Sequence, residues 1–263
     1  MLSHAARREL MKGVILCGGK GTRLDPLTRV TNKHLLPVGN YPMVFHPICQ
    51  MIDCDIRDIM IVTGREHCGD FAELLGNGSM FDCALTYRVQ EEAGGIAEAL
   101  SLAENFVGNN DVMVLLGDNI FTSSLKNFAH VFKHRAEVFN ENTWDINALL
   151  VLKKVLDPHR FGVVELKDFK IIGMEEKPED PKSNLIQTGC YFYDETVFDV
   201  IKKLEPSARG ELEILDVNKK YMQMNTVAWQ EISKDWTDAG TMSTYAQANT
   251  WMENVQYDKL RGR

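Results

Sequence analysis

The sequence predicts an α/β protein with a Rossmann-like, mostly parallel (mixed) sheet flanked by helices. Two observations lead to this prediction: apolar, β-branched runs recur along the chain, and amphipathic stretches long enough for helices separate the early ones. Such alternation is typical of βαβ units, in which helices connect parallel strands. Because ligands bind at the carboxyl ends of the strands in such sheets, functional residues are expected just after the strands.

The predicted elements follow one another along most of the chain. Strands are predicted at Gly13–Cys17, Asp58–Thr63, Leu85–Val89, Val112–Leu116, Ala148–Leu152, Val163–Leu166 and Ile171–Met174. Helices are predicted at Met43–Cys54, Cys68–Leu75, Ile96–Phe106 and Met242–Val255. The polar stretch Glu137–Asn147 is expected to be a surface connection. Residues 1–10 are expected to be a disordered N-terminal extension, and residues 11–263 a single domain with one core.

Composition limits the classes of partner. The 263 residues carry a formal charge of -8, which argues against the broad basic surfaces that bind nucleic acid or anionic lipid. No run approaches the roughly 20 apolar residues of a membrane span, and residues 1–10 lack the apolar core of a secretory signal. We therefore expect a cytoplasmic protein that binds neither nucleic acid nor membrane, in which any phosphate site is a local concentration of charge.

The cysteines and histidines do not suggest a metal centre. The six cysteines include no C-x-x-C pair, and the seven histidines fall singly along the chain. This pattern suits reduced, buried thiols better than disulfides or a zinc site. We expect His34 and His67 to be structural or surface residues.

The first predicted strand leads into the glycine-rich loop Cys17-Gly18-Gly19-Lys20-Gly21-Thr22-Arg23-Leu24. Glycines let a ligand phosphate approach backbone N–H groups, and Arg23 and Lys33 add positive charge. The loop is neither a Walker loop nor a dinucleotide fingerprint, because Gly21 is not followed by Lys and Leu24 replaces a glycine. The glycines alone would also fit a tight turn, but the nearby cations favour a phosphate-binding loop.

Two acids are candidate Mg²⁺ ligands. Asp118 follows the buried run Val112–Leu116, and Asp238 stands in a small-residue turn before a predicted helix. Mg²⁺ prefers oxygen ligands together with substrate phosphates. The alternatives are a plain turn aspartate at 118 and a helix cap at 238. Two such acids fit a metal bound to a triphosphate better than either acid alone.

Further polar candidates follow later strands. Lys177 could neutralise a phosphate while Glu176 accepts hydrogen bonds from sugar hydroxyls, although a solvated charged turn is the usual role of so polar a segment. Arg209 is the candidate in Ser207–Glu213, whose acids could instead favour a helix N-terminus. Gln90, at the end of a strand, offers the donor and acceptor that a pyrimidine imide requires.

Together these motifs resemble the sugar nucleotidylyltransferase family, and within it the branch that transfers thymidylyl groups to glucose-1-phosphate. The resemblance runs from Met11 to about Ala248. Its markers are Gly18-Gly19-Lys20-Gly21-Thr22-Arg23-Leu24, Lys33-His34-Leu35-Leu36-Pro37, Leu116-Gly117-Asp118-Asn119-Ile120-Phe121, Phe161-Gly162-Val163-Val164, Glu175-Glu176-Lys177-Pro178, Thr188-Gly189 and Ser207-Ala208-Arg209-Gly210-Glu211-Leu212-Glu213. So many matches in order make coincidence implausible.

The resemblance implies a role for each matching residue. The implied nucleotide-binding residues are Gly18, Gly19, Gly21, Thr22, Arg23, Gln90, Gly95 and Asp118. The implied sugar-phosphate-binding residues are Gly162, Glu176, Lys177, Gly189 and Arg209. The implied catalytic residues are Arg23, Lys33, Asp118 and Lys177, and the implied Mg²⁺ ligands are Asp118 and Asp238. Gln90 and Gly95 would contact the thymine.

The implied reaction joins dTTP and α-D-glucose-1-phosphate to give dTDP-glucose and pyrophosphate, the step that opens dTDP-rhamnose synthesis. A sugar phosphate is largely dianionic at neutral pH, since its second pKa is about 6, so its oxygen can attack the α-phosphorus without a general base. In-line displacement then expels pyrophosphate, while Mg²⁺, Arg23 and Lys177 offset the negative charge. The family implies a homo-oligomer, either dimer or tetramer.

Three other functions are weighed against this one. UTP could replace dTTP, because one methyl contact supplies only about 1–3 kcal/mol of discrimination. A non-catalytic sugar-nucleotide sensor would have lost a metal acid or a phosphate-binding base, yet all are present. A nicotinamide-dependent oxidoreductase would need a third glycine and an acid for the ribose.

The chain departs from the family pattern at a few places. Phe161 stands where many relatives have Tyr, Cys17 replaces a common Ala, and Glu137–Asn147 resembles a local insertion. Longer members continue beyond the last predicted helix with a segment linked to oligomer contacts and a secondary nucleotide site. Whether feedback through that site operates here is left open.

Overall fold

The computed structural model describes residues 10–139 and 145–257. The expected N-terminal extension, apart from Leu10, lies outside the described residues, as do residues 140–144 of the predicted surface connection. Within the described ranges, no helix is long and apolar enough to cross a membrane.

Strands occur in both halves of the chain. They are β1 Met11–Cys17, β2 Pro37–Val38, β3 Tyr41–Pro42, β4 Asp58–Gly64, β5 Ala84–Gln90, β6 Asp111–Leu116, β7 Asn119–Phe121, β8 Ala148–Lys154, β9 Gly162–Lys167, β10 Lys170–Glu176, β11 Leu185–Tyr193, β12 Val227–Glu231 and β13 Trp236–Asp238.

Helices connect many of these strands. They are α1 Phe45–Asp53, α2 Cys68–Leu75, α3 Ile96–Ser101, α4 Glu104–Val107, α5 Lys126–Lys133, α6 Arg135–Val138, α7 Val197–Ile201, α8 Ile214–Met224 and α9 Met242–Met252. Short 3-10 turns cover Thr22–Leu24, Lys33–Leu35, Arg65–His67, Ser79–Phe81 and Pro158–Arg160.

The chain divides into two compact units. The first unit comprises Lys12–Ala93, Val114–Asn127 and the segment from Lys234 onward, whereas Gly94–Met113 and Phe128–Ser233 form most of the second unit. The division falls within β6, between Met113 and Val114. The single domain predicted for residues 11–263 stays a prediction.

In the first unit the strand order is β6-β1-β4-β5. β1, β4 and β5 are parallel, and their register pairs Cys17 with Thr63 and Gly64 with Gln90. The central residues of β1 and β4 are fully buried apolar side chains, as expected for parallel strands that are covered on both faces. The carboxyl ends of these strands therefore lie side by side, and the glycine-rich loop leaves from this edge.

In the second unit the strands follow the order β10-β9-β11-β6, and β8 pairs with both β11 and β12. β9 with β10, and β8 with β11, are antiparallel, while β12 runs parallel to β8. All nine residues of β11 are buried. β11 is therefore the central strand of this unit.

The predicted α/β class with a mixed sheet is confirmed, and each predicted strand is present with small changes at its ends. The helix predicted at Ile96–Phe106 is instead two helices, α3 and α4. The Ser101 hydroxyl donates to the Glu98 carbonyl, and such local bonds compete with the backbone bonds of a helix.

Candidate active site

The loop after β1 has glycines whose backbone carries no side chain, and it lies beside the buried side chain of Gln90. Gly19 and Gly21 have φ values of 90° and 63°, a region in which L side chains are strained. A Cβ atom at Gly18 would lie 2.8 Å from Gln90 Oε1, so the Gln90 amide lies over the Gly18 backbone. The first unit thus brings together the loop and the glutamine that the sequence assigns to the nucleotide.

Arg23 extends from the short turn that follows the loop. Leu24 anchors this turn because its side chain is fully buried, while Arg23 is exposed. A Cβ atom at Gly240 would lie 3.1 Å from Arg23 Nη2 and 3.3 Å from Asp238 Oδ2. The guanidinium and the carboxylate therefore approach each other over a glycine that leaves room for both.

Lys33 is presented by a turn that is fixed from within. The Asn32 Oδ1 atom accepts from the His34 backbone N–H at 2.9 Å and lies 2.7 Å from His34 Nδ1. Burial, with the nearby Lys33 charge, lowers the pKa of His34 to about 3, so the imidazole is neutral near pH 7. His34 is thus a structural residue, as the sequence suggested, and it holds the turn beside Lys33.

Asp118 is held by Lys33 at the carboxyl end of β6. Lys33 Nζ lies 2.5 Å from Asp118 Oδ2, and the two side chains are 14% and 13% exposed. Asn119 Nδ2 donates to Asp118 Oδ1 at 3.0 Å. Burial alone would raise the pKa of Asp118, but the Lys33 charge and the hydrogen bonds from Lys33 and Asn119 outweigh it and hold the pKa below its usual range.

Asp238 lies beside Asp118 on a paired strand. β13 is antiparallel to β7, with Asp238 opposite Asn119, and the Ala239 N–H donates to the Asp118 carbonyl at 2.8 Å. The alternative of a helix cap at Asp238 is wrong. Thr241 is the N-cap of α9 and forms a capping box with Thr244, because Asp238 is committed to the strand.

The two acids supply the kind of ligand that a hard cation requires. Mg²⁺ usually binds one or two protein carboxylates and takes its other ligands from water and substrate phosphates. In the described ranges, no group of three or more His, Cys, Asp or Glu side chains could hold a metal ion. Asp118 and Asp238 therefore fit an ion that arrives with a phosphate ligand rather than a closed protein site.

The six cysteines are free thiols, with Cys17 and Cys190 buried and the other four partly buried. Burial, with the nearby Asp118 charge, raises the pKa of Cys17 well above its usual value. Cys17 Sγ would lie 2.6 Å from a Cβ atom at Gly117. Cys17 is therefore a neutral packing residue beneath the site.

In the second unit, Glu176 lies between two cations. Lys177 Nζ is 3.2 Å and Arg209 Nη2 is 3.8 Å from Glu176 Oε1. Lys177 has a φ of 46°, and its N–H donates to the Phe161 carbonyl at 3.0 Å. This contact fixes the backbone of Lys177, while its side chain extends from the end of β10.

Arg209 has a second carboxylate partner. Its Nη2 atom lies 2.7 Å from Glu213 Oε1, and the Ser207 hydroxyl donates to the same oxygen at 2.9 Å. Glu213 occupies the N-cap position of α8 without a side-chain cap bond. Its side chain therefore orients Arg209 instead of capping the helix.

The remaining candidates in the second unit are glycines. Gly162 lies opposite Glu176 in the register of β9 and β10, and Gly189 lies within buried β11. A Cβ atom at Gly95 would lie 2.4 Å from the Leu212 carbonyl oxygen. Gly95 thus has a packing reason to be glycine, and it belongs to a different unit from Gln90.

Two residues in these clusters received no site role from the sequence. Asn119 bonds Asp118, and its Oδ1 atom accepts from Trp236 Nε1 at 2.7 Å. Glu213 bonds Arg209. The available signals were the position of Asn119 directly after Asp118 and the helical spacing of four residues between Arg209 and Glu213.

Comparisons with known proteins found a family model and named relatives that match this chain. A family model described as nucleotidyl transferase matches residues 12–255. A glucose-1-phosphate thymidylyltransferase from Neisseria meningitidis is 40% identical and aligns over 94% of this chain and 84% of its own length. A protein of the same name from Mycolicibacterium smegmatis is 37% identical over 94% of this chain and 83% of its own length.

Solved structures are also similar. A crystal structure from Bacillus anthracis, provisionally named a glucose-1-phosphate thymidylyltransferase and bound to sucrose, has a TM-score of 0.89 and 48% identity, covering 96% of this chain and 100% of that one. A UDP-glucose pyrophosphorylase with UDP-glucose has a TM-score of 0.77 and 21% identity, covering 92% of this chain and 97% of that one. This second likeness supports the fold alone.

Proposed function

Because the chain belongs to the nucleotidyl transferase family, we propose that it transfers the thymidylyl group of dTTP to α-D-glucose-1-phosphate, giving dTDP-glucose and pyrophosphate. The relatives named for this activity align over nearly the whole chain. The structural observation that carries the proposal is the buried Lys33–Asp118 pair beside the glycine-rich loop. A cation and an ionised acid held together in this way suit the binding of a triphosphate and its metal ion.

The first unit binds the nucleotide in this proposal. The bare backbone at Gly18–Gly21 and the Thr22 segment offer N–H groups to the triphosphate, and Arg23 and Lys33 add charge. Gln90 meets the imide edge of the base, since its amide offers both a donor and an acceptor. The contact between Gly95 and the base stays a prediction.

Asp118 and Asp238 are the residues that would hold Mg²⁺. The bound ion would neutralise phosphate charge and help the pyrophosphate to leave. Asp118 is ionised at neutral pH despite its burial, because the Lys33 charge and the hydrogen bonds from Lys33 and Asn119 keep its pKa low. Lys33 stabilises that ionised form and supplies a positive charge for the phosphates of the nucleotide.

The second unit binds the sugar phosphate. Lys177 and Arg209 lie around one carboxylate oxygen of Glu176 and supply two cations for the phosphate. Glu176 accepts hydrogen bonds from sugar hydroxyls, while Gly162 and Gly189 line the pocket. No general base is required, because the attacking phosphate oxygen already carries charge at neutral pH.

The reaction is an in-line displacement at the α-phosphorus. The sugar phosphate oxygen forms the new P–O bond as the bond to pyrophosphate breaks, and the electron pair leaves with pyrophosphate. Arg23 and Lys177 offset the charge that accumulates, and the remaining residues orient the two substrates. Catalysis thus depends on position and charge.

Pyrophosphate release by the purified protein tests this function. The assay contains Mg²⁺ and α-D-glucose-1-phosphate with dTTP, UTP, CTP or GTP, and each reaction has an EDTA control. We expect release with dTTP that EDTA abolishes. Equal or faster release with UTP would support the alternative base, and no release by a folded protein that binds dTTP would contradict the function and favour a sensor. The cytoplasmic location and the dimer or tetramer stay predictions.

A further inference from the structure

Gln187 is a buried polar residue in the middle of β11. It is 6% exposed, and the nine residues of this strand are all buried. A long polar side chain is costly in such a position unless its hydrogen-bonding groups are satisfied. The partners of its amide therefore indicate what it does.

A chain of hydrogen bonds sets the orientation of the Gln187 amide. The Tyr193 hydroxyl donates to Asn218 Oδ1 at 2.6 Å, and Asn218 Nδ2 donates to Gln187 Oε1 at 2.6 Å. On the other side, Gln187 Nε2 lies 3.5 Å from Met174 Sδ. A thioether accepts weakly and cannot donate, so the nitrogen rather than the oxygen must face Met174. The amide nitrogen is thus turned away from Asn218.

The nitrogen faces the place assigned to the sugar. A Cβ atom at Gly162 would lie 3.7 Å from Gln187 Nε2 and 3.3 Å from Glu176 Oε2. An amide donor and a carboxylate acceptor thus lie close together over Gly162, where a Cβ atom would also be 2.8 Å from Leu215 Cδ1. Among the described residues, this nitrogen makes only the weak contact with the Met174 sulfur, although an amide nitrogen carries two N–H groups.

We propose that Gln187 is a specificity-determining residue that donates a hydrogen bond to one hydroxyl of the sugar phosphate. The same hydroxyl donates to Glu176, since a hydroxyl can accept and donate at once. Asn218 and Tyr193 act as positioning residues that keep the nitrogen toward the sugar. This inference rests on the proposed function and adds to it the residue that recognises a hydroxyl.

The test compares kcat/KM for α-D-glucose-1-phosphate with that for its 2-, 3-, 4- and 6-deoxy analogues, using wild type and Gln187→Leu. For the wild type, we expect one analogue to react about 10²-fold less efficiently than glucose-1-phosphate, because it loses the hydrogen bonds to both Gln187 and Glu176. In Gln187→Leu that difference shrinks by about tenfold, the size of one hydrogen bond, because the contact with Glu176 remains. The KM for dTTP stays unchanged.

A second variant and a control separate recognition from folding. Gln187→Glu keeps an oxygen to accept from Asn218 but lacks the N–H donor, so it should show the same reduced difference between glucose-1-phosphate and that analogue even if Gln187→Leu is too unstable to assay. Gln230→Leu changes another glutamine of the same unit, whose Oε1 atom is buried without a hydrogen-bond partner. It should keep the wild-type pattern across the analogues.

The outcomes distinguish this inference from the proposed function. A wild type that reacts with glucose-1-phosphate, while both Gln187 variants keep the wild-type pattern, would overturn the role of Gln187 alone. A uniform loss for every sugar would also overturn it, since that is the effect of a purely structural residue. A folded wild type that uses no sugar phosphate in the series would contradict the proposed function as well.

Discussion

The two units hold their charged residues in different ways. In the first unit, Lys33 and Asp118 are 14% and 13% exposed and lie 2.5 Å apart. In the second unit, Lys177 and Arg209 are 50% and 46% exposed, at 3.2 Å and 3.8 Å from their shared acid. The first arrangement is largely buried before any substrate arrives, whereas the second consists of half-exposed cations that an incoming anion can reach.

This difference separates two kinds of contribution. Groups already fixed in place cost no reorganisation during the reaction, so they act mainly on turnover. Exposed ion pairs contribute little by themselves, and their cations are available to bind an incoming anion. We therefore expect the loss of the buried acid in the first unit to lower kcat, and the loss of an exposed cation in either unit to weaken binding of the substrate assigned to that unit.

The largest effect is expected for Asp118→Asn. The amide cannot replace an ionised oxygen beside Lys33, so kcat should fall by about 10²–10³-fold, the size seen when one preorganised group is lost. Steady-state pyrophosphate release measures this change. Asp58→Asn is the control, because Asp58 also lies 2.5 Å from a lysine but is 52% exposed. Equal activity in Asp118→Asn and wild type would break the comparison.

Arg23→Ala should have the next largest effect. Its kcat/KM for dTTP should fall by about 10²-fold, because a positive charge that binds the triphosphate is removed. The fold should be unchanged, since Arg23 is exposed. Arg29→Ala removes a nearby arginine whose partner is Asp25 and should react like wild type. Similar losses in both variants would mean that Arg23 acts only through the general charge of the segment.

Lys177→Gln should have a smaller and more selective effect. The KM for glucose-1-phosphate should rise by about tenfold, as expected for one exposed charged contact, while the KM for dTTP stays unchanged. Lys182→Gln is the control, because Lys182 pairs with Glu165 at 3.6 Å in the same unit. A rise in the dTTP KM of Lys177→Gln would contradict the assignment of this cluster to the sugar phosphate.

The smallest effect concerns stability in the first unit. His34 has a pKa lowered from 6.5 to about 3, so above pH 6.5 it is neutral in both the folded and unfolded states. As the pH falls below 6.5, His34 binds a proton in the unfolded chain but stays neutral in the folded protein. The free energy of unfolding therefore decreases until about pH 3.

His34→Gln should reduce this loss of stability by at most about 1.4 kcal/mol per pH unit, and by about 2 kcal/mol in total between pH 7 and pH 5. Urea unfolding between pH 7 and pH 5 measures the slope, in a range where Asp118 stays ionised in both states. The matched control is His67→Gln, which removes a histidine that is 26% exposed and lies 2.8 Å from Asp70. Identical slopes for wild type and His34→Gln would show that burial of His34 does not control the pH dependence.

The sequence predicted the parts of the site that lie close together along the chain. The glycine-rich loop after β1 and Asp118 after β6 follow from strand patterns and small residues. The Lys33–Asp118 pair could not be predicted in the same way, because 85 positions separate its members and only the fold brings them together. The sequence also left open whether Asp238 caps a helix, because β7, which pairs with its strand, is remote in sequence.

The central strand of the second unit escaped prediction. Gln187, Thr188 and Gly189 interrupt the apolar pattern of β11 with polar and small residues, so the segment resembles a loop with a motif. The structure satisfies these residues internally: the Thr188 hydroxyl donates to the Val151 carbonyl at 2.8 Å, and Asn218 bonds Gln187. Tertiary contacts thus compensate for the weak local pattern.

Calorimetric binding of dTTP in the presence of Mg²⁺, without sugar phosphate, tests the division between the units most directly. The proteins compared are wild type, Arg23→Ala and Lys177→Gln. We expect Lys177→Gln to bind dTTP with the wild-type Kd and Arg23→Ala to bind it about tenfold or more weakly. A Lys177→Gln variant that loses dTTP affinity, together with an Arg23→Ala variant that keeps it, would contradict the assignment of the nucleotide to the first unit.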